Sequence, residues 1–488
     1  MSAGAAVPAL AAAPARATPR LAAVLRGAAL YRAYLRAIPA LWFLGALAPA
    51  CALMLLRLAS ERWPRGKMIN VIIASWFAIG LSQAAAAILN GVALGDYARG
   101  FANAAGFGVV GWGFGGLAVA AGAAHRLDDP RAVRAVAWVG LYMLILAGVA
   151  AVGHLLGRRA LYIWPTPLGL LLPKSPTVTF YTAALIYQTE ETLGELTTRL
   201  VLFFPWAPAL GLGALAVTFI SLLERNLLWR VLGVSGGAVA TVFSWSRIAI
   251  AALAVVGALI VFMRAPRGMK LLVVGAGLCG LFALPLMGVD PIAEIAQIQD
   301  KANAARAGSS LARDLIYEKS YEGFLESPLI GHGWIGDSVH AKENLPIGSH
   351  STVYGLLYMG GAPTFAAFVL AMALTFVGLV RRYLTLAADD PRRDGLIVAL
   401  GLFLCLALYC RYEALFNLTL PCVFLFAFIG AALAPSAVAA PAALRDDPAR
   451  PLSRAPERAA RALDPIFSCR RSPAGPRRRT PHSGDESP

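Results

Sequence analysis

Charged side chains are scarce in this chain. They make up 14% of 488 residues, where a soluble domain carries about 25%, and hydrophobic residues reach 58%. That balance excludes an ordinary water-soluble fold and predicts an all-α, polytopic transmembrane helical bundle. Cysteine is used little and never in CxxC spacing: Cys51, Cys279, Cys405, Cys410 and Cys422 fall inside apolar runs and Cys469 in a polar tail. Neither a disulfide framework nor a zinc site is expected. A cleaved signal peptide is not expected either, because the first apolar run starts near Ile38 and many of spanning length follow. The formal charge of +16 raises nucleic acid as a partner. The arginines, however, are spread over short loops and both tails instead of one patch, which suits cytoplasmic connectors and leaves nucleic-acid binding unsupported.

What is present is a series of uncharged runs of about the length a bilayer requires, roughly 17 to 25 residues. They fall at 38–56, 68–95, 101–124, 135–157, 200–223, 231–246, 248–263, 271–289, 351–380, 396–410 and 414–434, which gives about 11 to 12 spans within the usual boundary error. Gly111, Gly113 and Gly115 in the third run would let a neighbouring helix approach closely. Residues 1–37 read as a basic tail, disordered at first, with 21–37 suited to a basic interfacial helix. Residues 435–488, rich in Pro, Arg and Ala, read as a disordered basic C-terminal tail. The membrane domain is therefore expected at 38–434.

Basic residues set the orientation. The connectors 57–67, 125–134, 224–230, 264–270 and 381–394, with the C-terminal tail, alternate correctly if all are cytoplasmic. Segments 158–199 and 290–350 and the turn at Arg247 then share the external face, with 158–199 read as a loop containing an interfacial or re-entrant piece. One conflict follows: with eleven spans the basic N-terminus would be external too, so either a further span lies within 21–56 or this tail breaks the rule.

The external segment 290–350 holds Arg306, Arg313, His332 and His340 and ends at His350 where the chain re-enters the membrane. Positions 309–325 read as an amphipathic helix, with Arg306, Arg313 and Ser320 on one face if the helix extends that far. Such a helix would present arginines over the bundle; alternatively Arg313 only pairs with Asp314 or Glu318. His332, between two glycines, could simply cap a turn, and His340 is a lone loop histidine. His350 could bond only backbone groups, or act as a base. Arg199 ends one loop and Arg247 opens a helix after a tight turn, so both could join the same cavity. The string GAGLCG at 275–280 matches GxGxxG but lies inside an apolar span, so it reads as helix packing.

The run ARDLIYEKSYEGFLESPLIGHGW at 312–334, followed by GSHSTVYGLLYMGG at 348–361, resembles the signature of the bacterial O-antigen ligase and polymerase family, membrane glycosyltransferases of the broad GT-C type. SWSRIAIAALAVV at 244–256 resembles the family's other motif, and TRLVLFFPWAPALG at 198–211 is similar to a weaker one. The resemblance is clear over 231–380. Where family members usually have Asn after the re-entry histidine, this chain has Ser351. The resemblance implies transfer of a glycan from undecaprenyl diphosphate to an acceptor hydroxyl, on a glycan or on lipid A–core, outside the cytoplasmic membrane. A glycan flippase and a chain-length regulator would act beside it, among the membrane lipids. Arg247 and Arg313 would bind the diphosphate and His350 would take the acceptor proton, with Arg199, Arg306 and His332 as substrate contacts. Asp-x-Asp is absent, so a metal-bound nucleotide-sugar donor is not suggested; neither metal nor cofactor is expected. A transporter is the rival class, disfavoured because nearly every charge lies at a span end.

Overall fold

The computed structural model describes residues 19–435, apart from 174–175, 193–194, 288–289, 291–292, 295–296, 298–306 and 340–344. The C-terminal tail read at 435–488 falls, but for Pro435, outside the described residues, as do 1–18 of the N-terminal one.

The chain is a bundle of helices: α1 (Pro19–Phe43), α2 (Leu47–Glu61), α3 (Lys67–Ala93), α4 (Tyr97–Asn103), a π-helical stretch Ala104–Gly113, α5 (Phe114–His125) and α6 (Pro130–Leu155). After a small sheet come α9 (Ala207–Ser221), α10 (Leu227–Phe243), α11 (Arg247–Arg264) and α12 (Arg267–Leu286), then α13 (Ala307–Glu326), α14 (Thr352–Thr385), α15 (Arg392–Cys410) and α16 (Val423–Leu433). Helix starts are written in the sequence: Asp129 caps α6 by accepting from the Arg131 and Ala132 amides, with Pro130 at the first helical position, and Asn226 caps α10. Seven helices are long and apolar enough to cross a membrane and α9, α10 and α16 are shorter apolar ones. Helices α1 and α2 form a further pair packed in the bundle.

Contacts sort the helix ends into two faces. On one, Arg134 pairs with Glu224 at 2.7 Å, Arg264 with Asp394 at 3.2 Å, and His125 Nε2 lies 2.9 Å from Leu58 O. Arg382 also feels the charges of Arg126 and Asp128, so the five connectors read as basic gather at one end. The conflict over the N-terminus disappears here, because the run 38–56 is not one span. The chain turns at Leu44 to Ala46; α1 starts beside His125 and ends where Leu168 N bonds Leu44 O, and α2 returns to Leu58. The boundary at residue 37 thus falls inside α1, whose Tyr31, Leu35, Ile38 and Trp42 are buried in the bundle rather than lying at an interface.

On the opposite face, 158–199 is a three-stranded antiparallel sheet and not a loop: β1 (Ala160–Ile163), β2 (Ala184–Thr192) and β3 (Glu195–Leu200), in the order β1-β2-β3, with short helices α7 (Pro167–Leu171) and α8 (Pro176–Thr182) between β1 and β2. Alternation in Ala184-Leu-Ile-Tyr-Gln-Thr, with Thr and Tyr frequent, is the strand signal that charge counting passed over.

Two irregular segments matter for the site. The run 414–434 is α-helical only from Val423; before it, 411–422 turns through the protein, with a single 3-10 turn at Leu415–Asn417. Such backbone is tolerated at membrane depth where protein covers it, and here Thr352 Oγ1 accepts from Leu415 N at 2.9 Å while Thr419 Oγ1 donates to Gly111 O at 2.5 Å. Gly111 and Gly115 do admit a close neighbour, this segment, whereas Gly113 meets only its own helix. A Cβ at Gly275, Gly277 or Gly280 would meet nothing within 4 Å, so the packing role read into GAGLCG is not found among the described residues.

The second segment is the Gly-His-Gly turn. Helix α14 breaks at Gly361 (φ 65°, ψ −171°), leaving backbone groups that need partners. The turn supplies them: His332 N donates to Tyr358 O and Gly333 N to Met359 O, both at 2.8 Å, and Ala362 N donates to Pro328 O at 2.7 Å. Asn90 of α3 bonds Gly331 O at 3.1 Å from the other side. Helix α13 is thereby fastened to the bundle.

Candidate active site

Helix α13 lies on the face opposite the basic connectors. Ser310, Arg313, Tyr317 and Ser320, spaced three or four apart, form one stripe along it, and each engages the bundle. Arg247, first residue of α11 after the tight turn at Trp245 (φ 51°), donates from Nη2 to Ser310 Oγ at 3.2 Å. Arg313 Nη2 lies 3.5 Å from Glu413 Oε1, not on Asp314 or Glu318. Tyr317 donates to the backbone carbonyls of His350 at 3.2 Å and Arg411 at 3.0 Å. Ser320 Oγ accepts from Gly348 N at 2.8 Å.

His350 is held just ahead of α14 in the left-handed region (φ 57°), a conformation costing about 1–2 kcal/mol for a residue with a Cβ. Ser351 follows as the N-cap of α14, its Oγ accepting from Tyr354 N and donating to Cys410 O at 3.3 Å. Ser and Asn cap helices about equally well, so the departure from the family's usual Asn preserves this local function. Burial, and then the Arg313 guanidinium, push the His350 imidazole down to about 4. It is neutral at physiological pH, and among the described residues its ring makes no hydrogen bond.

Tyr317 stacks on Tyr354 with ring centroids 4.7 Å apart, and the Arg411 guanidinium lies 5.0 Å from each ring. Burial pushes the Tyr317 hydroxyl up, and the hydrogen bond with Tyr354 raises Arg411. Arg411 and Glu413 were absent from the sequence expectations, yet they are the only charged residues between Asp394 and Pro435. A lone charged pair between two apolar runs was the available signal.

Arg247 thus bonds Ser310, one turn before Arg313 on α13, and the Arg313 charge acts on His350. Arg199 is placed on β3, in register with Gln188. His332 takes a fastening role: Nε2 lies 2.8 Å from Gly323 O and the ring stacks 4.5 Å from Tyr358. Arg306 and His340 lie outside the described residues. No three His, Cys, Asp or Glu side chains come together as a metal site among the described residues.

Fold and site together define a multi-pass membrane protein carrying a guanidinium and imidazole cluster on the face away from its basic connectors. Residues 232–356, about a quarter of the chain, match the family model described as O-antigen ligase. The matched stretch runs from α10 into the start of α14 and contains Arg247, Arg313 and His350; Arg199, Arg411 and Glu413 lie outside it. No curated protein matches the chain significantly.

Proposed function

We propose that this protein transfers a glycan from an undecaprenyl-diphosphate carrier to an acceptor hydroxyl on the periplasmic face of a bacterial inner membrane, extending a glycan or attaching one to lipid A–core. The observation that carries this reading is the Arg313 guanidinium beside His350, with Arg247 tied to the same helix.

The hard step is departure of a lipid diphosphate. Guanidinium groups bind phosphate oxygens in bidentate fashion and stay charged at any physiological pH, so Arg247 and Arg313 stabilise the negative charge that develops on the leaving group. The acceptor oxygen attacks the anomeric carbon, the carbon–oxygen bond to phosphate breaks, and the acceptor proton passes to the neutral His350 imidazole. Direct displacement inverts the anomeric centre, and the diphosphate stays on the carrier. Such base catalysis contributes about 10²–10⁴-fold. Arg199 and Arg306 are further candidate phosphate or sugar contacts, and no metal is required for a lipid-linked donor.

Cells lacking the gene and supplied with variants test this. His350→Ala and Arg247→Ala are expected to insert normally and restore no surface glycan, while His340→Ala restores it; normal glycan from the first two would remove the assignment.

A further inference from the structure

Glu413 is a carboxylate where a carboxylate is costly. Its side chain is 4% exposed, and taking a charge out of water carries a large penalty unless partners replace the solvent. The fold supplies them. Oε1 faces Arg313 Nη2 at 3.5 Å and Oε2 accepts from Trp206 Nε1 at 3.3 Å. The residue's own backbone is stitched down as well, its amide bonding Tyr409 O at 2.9 Å and its carbonyl accepting from Thr352 Oγ1 at 2.7 Å. With both oxygens engaged and buried, this group is unsuited to take a proton from an acceptor.

What it controls is Arg313. An arginine on an exposed helix samples many rotamers, but its guanidinium is a rigid planar fork, so an ion pair at one nitrogen narrows where the remaining N–H groups point. The anchor is itself tied to the site: Thr352, two residues after His350, holds the Glu413 carbonyl. Imidazole, guanidinium and carboxylate therefore share one rigid frame.

We propose that Glu413 is a positioning residue that holds the Arg313 guanidinium in the orientation that meets the donor diphosphate beside His350. This rests on the site reading above and deepens it, adding a residue outside the stretch 232–356 that matches the family. Preorganisation of this kind lets the cation act without rearranging when the leaving group's charge develops.

The test is a double-mutant cycle read as affinity of the full-length protein in detergent for undecaprenyl diphosphate, with thermal midpoints recorded for each variant. Glu413→Gln keeps the shape and an acceptor for Trp206 but removes the charge. It is expected to weaken binding about tenfold, as loss of a charge-assisted contact does. Added to Arg313→Ala it should cost no more than about twofold further, because it acts through the missing arginine. Should Glu413→Gln not yield folded protein, Trp206→Phe replaces it in the same cycle, with a smaller loss that again vanishes beside Arg313→Ala. Losses that multiply in the double variant, or wild-type binding by the Glu413 variant while Arg313→Ala is weakened, overturn the inference and leave the site reading standing. Wild-type binding by Arg313→Ala, or no binding by the wild type, overturns the site reading and this inference with it.

Discussion

His350 decides the chemistry through its protonation state. Held to about 4 by burial and the neighbouring Arg313 charge, the imidazole is neutral and able to accept a proton above that pH, and protonated and inert below it. For the free enzyme kcat/KM should therefore be level through neutral pH and fall as pH drops through about 4. The kcat profile should fall at higher pH, because a bound diphosphate favours the imidazolium. Arg313→Ala removes a cation that disfavours protonation, so the kcat/KM limb of that variant should move up. A rate that rises as pH falls through this region would make His350 an acid and contradict its role. At this scale the sequence spoke through motifs: Arg247, Arg313 and His350 stand in recognisable strings. Glu413 and Arg411 stand in none, and their partners are set by a fold that joins residues far apart in the chain, such as Trp206 and Glu413.

Helices α13 and α14 show why the Gly-His-Gly turn exists. A Cβ at Gly331 would sit 2.6 Å from Gly360 N in a backbone region (φ 69°) that side chains rarely adopt, so Gly331→Ala must push the turn off the broken helix. The expected result is a protein that still inserts but whose segment 290–350 is cut faster by added protease. Transfer should also be reduced, since misplacement of about 1 Å costs on the order of 10²-fold; unchanged protection would show that the turn does not fasten α13. A helix over 309–325 was legible in the sequence, and the structure has it at Ala307–Glu326; the face it buries is Ala312, Ile316, Tyr317 and Ser320, whereas Leu311 and Leu325 are exposed. The sheet at 158–199 and the buried turn at 411–422 were not legible. Charge counting and window hydrophobicity report neither strand alternation in a polar segment nor an interior coil that protein covers, so the first was read as a loop and the second as part of a span.

For the whole molecule, the gathering of basic connectors at one end fixes the expected orientation, with both α1 and α16 meeting that end. The basic connectors 57–67, 125–134, 224–230, 264–270 and 381–394 lie at one end of the bundle, and the N-terminal conflict arose only where a helix hairpin had been read as one span. With Cys279 and Cys469 replaced by serine, a thiol introduced at Leu329, which is 72% exposed, should react with an impermeant maleimide added outside intact cells. One at Asp389 should react only after permeabilisation, and the opposite pattern would turn the site toward the cytosol. The central claim is that the cluster on α13 is the catalyst, and the most direct measurement is glycan transfer by purified, reconstituted protein. Given undecaprenyl-diphosphate oligosaccharide and an acceptor glycan or lipid, the wild type should form product, and His350→Ala should be slower by at least about 10²-fold with an unchanged thermal midpoint. Equal rates from the two proteins, or translocation of the lipid with no transfer by the wild type, would contradict it.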